Sequence, residues 1–216
     1  TYLAELSQRS EYRAPTETIA SEMTREWITL TGADDEKLLE LSNCMEEFKV
    51  RESFYSLALM DGFFGRGNLY IGIDGQETDK RRMLPLMYDP ESITKGSLKT
   101  LKPIEPIWTT PYLYNAIDPT KPDFYVPEAW YLMGKRTHAS RLLTFISHPL
   151  PDMFKPAYNF SGMSLSQLIE PYVIRWLKTV DSVNRLISNF SISGVKTNMM
   201  AALEGGAEDI RDAGDG

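Results

Sequence analysis

The most regular alternation of apolar and polar residues lies near the end of the chain, between positions 165 and 190. Apolar side chains recur there every three or four residues for about seven turns, which is the period of an amphipathic helix. Ser164 is placed to cap this helix, and Pro171 should kink it unless the helix begins at that proline. Because Trp176 falls in the middle of the apolar face, the pattern predicts that its side chain is buried in a core.

Two further helices are predicted in the first third of the chain. Pro15 fits the first turn of a helix that runs to about Trp27, with Ile19, Met23 and Trp27 on one side. Residues 27–30 have the composition of a short strand.

The second of these helices is longer. Asp34 or Asp35 can cap it, and its apolar positions from Leu38 to Leu59 share one face. The Asp-Gly pair at 61–62 should end it, because glycine accepts the left-handed conformation that follows a helix.

Strands are predicted in the middle of the chain. Residues 69–73 are a compact apolar run followed by the turn signal Asp74-Gly75, and the polar run 76–82 should be an exposed loop. Prolines recur from 85 to 127, which favours irregular structure or edge strands because proline lacks a backbone donor.

Two more strands are predicted at residues 129–133 and 141–146, joined by a turn at Gly134-Lys135. The predicted fold class is therefore α+β, with mixed or antiparallel strands in a proline-rich middle flanked by long helices. We expect one interlocked domain over residues 1–205, followed by an acidic, glycine-rich end at 206–216.

The charge of the chain argues against tight DNA binding. The 216 residues carry a formal net charge of −7, whereas a surface that grips a phosphate backbone needs a surplus of lysine and arginine. An acidic surface would instead repel DNA and let it slide past.

The single cysteine limits the chemistry further. Cys44 alone can form neither an intramolecular disulfide nor a cysteine-based zinc site, and we expect it to be a small buried side chain in a helix. No apolar run approaches the roughly 20 residues of a membrane span, so no membrane contact is expected.

The two histidines are the candidates for acid–base chemistry. His138-Ala139-Ser140 resembles half of the paired His-x-Ser/Thr arrangement of two-histidine phosphoesterases, which need one histidine as a base and one as an acid. His148 is followed by Pro149-Leu150 and lacks the hydroxyl of a second copy. The glycine-rich run at 62–67 lacks the ending of a phosphate-binding loop. We therefore predict no catalytic, cofactor-binding or metal-binding residues and no cofactor.

A group of aromatic residues crowds the proline-rich middle. They can form a protein interface, as in an adaptor module, or they can anchor a loop-rich region, and the sequence leaves both open. The group comprises Trp108, Tyr112, Tyr114, Phe124, Tyr125, Trp130 and Tyr131.

A series of short motifs, in order along the chain, resembles the portal proteins of tailed bacteriophages. The branch concerned is the phage-associated, portal-like one that is related to the N-terminal region fused to anti-CBASS phosphodiesterases, which are anti-defence enzymes. The matching segments are Arg25-Glu26-Trp27, the Asp-Gly-Phe-Phe-Gly-Arg-Gly run at 61–67, residues 98–104, residues 122–127, the His-Ala-Ser-Arg run opening 138–145, Leu150-Pro151, and residues 160–164.

The resemblance implies the wing part of a portal, a structural subunit rather than an enzyme, spanning residues 1–205. It implies a homo-oligomeric, dodecameric ring at the capsid vertex of the virion, assembled in the bacterial host cytoplasm. Double-stranded DNA would pass through it without sequence specificity, and its partners would be the packaging motor, capsid and tail-connector proteins. The stem, clip and crown of a portal are expected to follow Gly205 in a longer protein. The alternatives are a protein related to the cyclic-nucleotide phosphodiesterases, acting through His138, and a non-catalytic adaptor.

Overall fold

A computed structural model describes residues 2–32, 34–87, 89, 93–190 and 200. The chain divides into two units, Thr1–Ile174 and Arg175–Gly216. The predicted boundary at residue 205 and the end at 206–216 lie outside the described residues. The helices are α1 Tyr2–Leu6, α2 Ser10–Arg25, α3 Asp35–Glu47, α4 Val50–Phe64, α5 Asp79–Arg82 and α6 Leu165–Phe190.

Six strands form two antiparallel three-stranded sheets in the first unit, so the predicted α+β class is confirmed. The first sheet has the order β2-β1-β6 and the second the order β3-β4-β5. The strands are β1 Gly67–Ile73, β2 Leu98–Ile104, β3 Thr109–Tyr114, β4 Pro127–Leu132, β5 Lys135–His138 and β6 Leu142–Phe145.

Prolines in the middle of the chain lie where a strand can tolerate a missing backbone donor, as predicted. Pro103 belongs to β2 and Pro111 to β3, and each of these strands is at the edge of its sheet. Pro127 is the first residue of β4. The predicted strand at 69–73 is also confirmed, since β1 contains it and Gly75 follows with a φ of 68°.

The strands at 129–133 and 141–146 do not form the predicted hairpin. Met133 and Gly134 both have positive φ values, 48° and 85°, which is the geometry of a two-residue hairpin turn, so a strand resumes at once at Lys135. The partner of β4 is therefore β5, which the prediction missed. A short 3-10 turn at Ala139–Arg141 then redirects the chain, and β6 pairs with β1 in the other sheet.

Helix α2 packs on α4 through a different face from the predicted one. Ile19 and Met23 are exposed, whereas the buried positions are Tyr12, Thr16, Ala20 and Thr24. The buried face is small because α4 approaches closely: a Cβ on Gly62 would lie 2.4 Å from Thr16 Cγ2. Pro15 is inside α2 rather than in its first turn, and residues 27–30 form no strand.

The long helix predicted over 38–59 is two helices. Asp34 caps α3 as predicted, its side chain accepting a hydrogen bond from the Lys37 backbone N–H at 3.2 Å. The break comes at Lys49, whose φ of 49° is left-handed and cannot continue α3. Helix α4 passes through the predicted stop at 61–62 and ends at Gly65, whose φ is 78°.

Burial differs from the prediction at three further places. The run 76–82 includes helix α5, and its Arg82 is buried. Cys44 is exposed, because α3 buries none of its residues. Trp176 is 56% exposed, so the prediction that it is buried in a core is wrong.

The core of the first unit lies between the two sheets. Its buried members are Tyr70, Trp130, Leu132, Leu142 and Phe160. Arg66, at the start of β1, is completely buried beside this core, and its guanidinium lies 4.3 Å from the ring centroid of Trp130. It donates to Thr109 Oγ1 at 2.6 Å and to the Asn159 carbonyl at 3.0 Å. Burial lowers the pKa of Arg66 to about 10.

Candidate functional site

The start of α6 is tied to the rest of the first unit by backbone contacts. The Gly162 N–H donates to the Gly65 carbonyl at 2.7 Å, and the Met163 N–H donates to the His148 carbonyl at 2.9 Å. Ser164 Oγ accepts from the Gln167 N–H at 3.2 Å, and Gln167 Oε1 accepts from the Ser164 N–H at 3.1 Å. This reciprocal cap confirms Ser164 as the predicted N-cap.

The part of α6 from Arg175 to Phe190 presents a continuous exposed apolar surface, which we call the α6 face. Its members are Trp176, Leu177, Val180, Val183, Leu186, Ile187 and Phe190. Phe190 is 82% exposed. When a folded protein exposes an apolar surface of this extent, the surface usually marks a site where a partner binds.

The spacing within the α6 face is that of a helix seam. Trp176, Val180, Val183, Ile187 and Phe190 alternate in steps of four and three residues, which is the heptad pattern by which helices pack side by side. The sequence pattern predicted these positions correctly except for Leu186, which lies at the margin of the face.

Charged side chains of α6 lie away from this seam. Arg175, Lys178 and Asp181 are exposed, as predicted. Arg185 forms an ion pair with Asp181 at 3.0 Å, one helical turn away. The positions beside the seam, 177, 179, 184 and 186, carry no charge.

His138 is held by neighbours in its own loop. Its Nδ1 accepts a hydrogen bond from the Ser140 N–H at 3.2 Å and lies 2.8 Å from Ser140 Oγ. Nδ1 therefore carries no proton, and the neutral ring has its hydrogen on Nε2. Ser140 Oγ also accepts from the Leu86 N–H at 2.7 Å, so this hydroxyl holds the loop to the preceding segment.

His148 belongs to a different cluster. Its Nδ1 lies 2.7 Å from Ser147 Oγ, and that hydroxyl donates to the buried carboxylate of Asp61. Burial raises the pKa of Asp61, although its hydrogen bonds with Ser147 oppose this. Ser147 therefore lies between Asp61 and His148 in this cluster. In a catalytic triad the histidine lies between the acid and the serine. Among the described hydrogen bonds, the contacts of His138 are with Ser140 and those of His148 are with Ser147.

The pKa of His138 gives a testable pH dependence. Burial lowers it below its ordinary value of 6.5. The folded state therefore favours the neutral ring, and this contribution to stability is present above pH 6.5 and lost as the pH falls through the folded pKa. We expect the wild type to lose stability relative to His138→Gln when thermal unfolding is followed from pH 7.5 down to pH 5. Parallel pH curves for the two proteins would show that His138 does not titrate differently on folding.

The aromatic residues of the middle region divide into two groups. Trp130 is buried and Tyr125 packs on Phe160, with ring centroids 6.2 Å apart, so these two anchor the core. Trp108 remains exposed, and Tyr114 is 39% exposed although its ring centroid lies 4.6 Å from that of Phe160. The anchoring hypothesis therefore holds for the first group, and the second group leaves surface for an interface.

The glycine-rich run at 62–67 serves chain packing. A Cβ on Gly67 would lie 2.5 Å from the Leu57 carbonyl oxygen, so only glycine lets β1 pass this close to α4. Within the described ranges, no group of three or more His, Cys, Asp or Glu is placed to hold a metal ion. Nor is any helix in that part of the chain both long enough and apolar enough to cross a bilayer.

Comparison with known proteins places these features in a family. The phage portal protein family matches residues 1–214, almost the entire chain. That family is in general structural and non-enzymatic. A comparison with curated proteins finds no match to the chain.

Proposed function

The chain belongs to the phage portal protein family, and from this membership we propose that it is a structural subunit of the ring through which phage DNA is packaged and ejected. The ring is dodecameric, occupies a capsid vertex, and docks the packaging motor and the tail. It assembles in the host cytoplasm. Residues 1–205 are its wing-like part, and the role involves neither catalysis nor a cofactor.

One observation supports this proposal beyond family membership: large apolar side chains of the α6 face are exposed. Burying apolar surface contributes about 25 cal/mol for each Å² removed from water. Trp176, Ile187 and Phe190 are all more than half exposed, so covering them by assembly gives a large favourable free energy.

The chemistry of the face favours a second copy of the chain as its partner. Charged residues beside a helix seam commonly select the partner helix through interhelical ion pairs. The α6 face carries no charge at positions 177, 179, 184 and 186, so no charge there opposes pairing with an identical helix. Val180, Val183 and Ile187 supply branched side chains to the seam, as is common where helices pack together.

The width of the face suits a ring. Leu177 and Leu186 extend the apolar surface on both sides of the seam, so one helix can contact a neighbour on each side. A closed ring requires this, because each subunit uses two different surfaces for its two neighbours. The net charge of −7 favours free passage of DNA through such a ring over tight binding.

Association of the purified chain tests the proposal. We expect concentration-dependent self-association in sedimentation equilibrium, weakened at least about tenfold by Trp176→Ala, because removal of a central aromatic residue from an interface costs about 2 kcal/mol or more. Lys178→Ala, a change on the opposite side of α6, should leave association unchanged. A monomer at all concentrations, or a large loss of monomer stability in Trp176→Ala with association intact, would count against the α6 face as a subunit contact.

Cross-linking identifies the surface directly. In a Cys44→Ser background, Val183→Cys places a thiol in the seam and Lys178→Cys places one outside it. Disulfide-linked dimers should form faster from Val183→Cys. Equal rates for the two variants would mean that contact between copies does not involve this face.

The phosphodiesterase alternative is tested by an assay with cyclic nucleotides in the absence of metal. We expect no activity that depends on His138, because Ser140 Oγ and His148 are each held by other partners. A dose-dependent activity abolished by His138→Ala would overturn this.

A further inference from the structure

A cleft of about 620 Å³ opens between the two sheets of the first unit. Tyr70 of β1 and Leu132 of β4 are buried and form its inner wall, and Ile104 at the end of β2 lines it from the other side. Its volume lies in the range of about 300–1,000 Å³ that is usual for ligand-binding pockets. Neither His138 nor His148 is among the residues that line it.

Arg82 lines this cleft from α5 and is short of hydrogen-bond partners. Its side chain is buried, with the guanidinium 5.2 Å from the ring centroid of Tyr70. It donates to Thr137 Oγ1 at 3.0 Å, while its Nε has no hydrogen-bond partner. The nearest carboxylate oxygen, of Glu77, is 3.8 Å away and so beyond hydrogen-bond distance. A buried guanidinium is stabilised when its donors meet acceptors, so Arg82 has capacity for an anion.

The other charged residues of the cleft strengthen this preference. Lys102 adds a second positive charge to the lining, and Glu105 adds one negative charge. Within the lining, Arg82 and Lys102 outnumber Glu105, and Glu77 lies outside it at 3.8 Å from Arg82. An acidic group gains from this field more than a neutral or basic one does.

The rim of the cleft is open, and Trp108 and Met133 form an apolar part of it. Trp108 is 48% exposed and Met133 is 73% exposed. Small ligands are usually enclosed over most of their surface, whereas exposed tryptophan and methionine are enriched where proteins bind each other. The rim thus favours a polypeptide over an enclosed metabolite.

We infer that this cleft binds a partner polypeptide through an apolar side chain that lies beside a carboxylate. The apolar side chain packs against Trp108 and Met133, and the carboxylate contacts the guanidinium of Arg82. The inference uses residues of the first unit alone. Its test is therefore independent of the test of ring assembly through α6.

Two capped dipeptides test the inference: N-acetyl-Phe-Glu-amide and its neutral counterpart N-acetyl-Phe-Gln-amide. Binding is followed by the indole N–H signal of Trp108 in the full chain, assigned by comparison with Trp108→Phe. We expect the acidic peptide to shift this signal at millimolar concentration and to bind about threefold or more tightly than the neutral one, since a charge-assisted hydrogen bond is stronger than a neutral one.

Matched variants separate Arg82 from general charge. Arg82→Gln should abolish the preference for the acidic peptide, while Lys80→Gln, at an exposed position of the same helix, should retain it. If thermal unfolding shows that Arg82→Gln does not fold, Lys102→Gln at the exposed rim should still reduce the preference. Equal affinity of the wild type for both peptides, an equal effect of Lys80→Gln, or an unmoved Trp108 signal would each overturn the inference.

Discussion

Arg66→Ala is expected to lower the free energy of unfolding by about 3–5 kcal/mol, because it removes a large buried side chain and leaves buried acceptors without a donor. The guanidinium of Arg66 donates hydrogen bonds to Thr109 Oγ1 and to the Asn159 carbonyl, and it stacks on Trp130. In a chain of this size the loss corresponds to a fall in Tm of roughly 6–20 °C. Thermal unfolding measured by circular dichroism provides the test.

Two further substitutions give this prediction its controls. Arg25→Ala removes an arginine whose side chain is 67% exposed and should change stability by roughly 0.5 kcal/mol or less. Arg66→Lys keeps the charge but loses the planar fork that reaches two acceptors at once, so it should also destabilise. A stable Arg66→Lys protein would mean that charge alone, rather than the geometry of the guanidinium, is needed at this position.

Gly65→Ala is expected to destabilise the fold by about 3–4 kcal/mol for two separate reasons. The residue has a φ of 78°, which costs an L-residue with a Cβ roughly 1–2 kcal/mol. The new Cβ would also lie 2.1 Å from the Gly162 carbonyl oxygen, so the backbone leading into α6 would have to move. Denaturant unfolding of the variant and the wild type measures the difference.

Gly134→Ala carries the first cause alone, so the difference between the two variants isolates the second. Gly134 has a similar φ of 85°, but nothing lies within 4 Å of a Cβ built there. It should therefore lose only the roughly 1–2 kcal/mol of the left-handed backbone. If Gly65→Ala and Gly134→Ala cost the same, the close approach of Gly65 to Gly162 contributes nothing.

Features that depend on neighbours in sequence were predictable. Ser164 and Asp34 cap helices because a side-chain oxygen meets an N–H only two or three residues away. Prolines marked the edge strands because a missing donor is a property of the residue itself. The spacing of the apolar residues along α6 could likewise be predicted from the sequence. The partner of the α6 face could not.

Features that depend on distant residues were not predictable. Ile19 and Met23 have the right period for a buried face, yet α2 buries Thr16 and Ala20 because Gly62 of α4 lets the two helices approach. The partner of β6 is β1, across 70 positions of sequence, because a 3-10 turn redirects the chain after β5. Arg66 and Arg82 gave no sequence signal, since an arginine in a turn or a polar run is usually solvated.

Taken by itself, the order of residues determined the α+β class, the caps at Asp34 and Ser164, the strand at 69–73 and which side of α6 is apolar. The tertiary structure alone decided what each apolar side faces. An apolar stripe has the same period whether it is covered by its own chain or left for another. Only the positions of the surrounding elements distinguish the two cases, and Trp176 is 56% exposed.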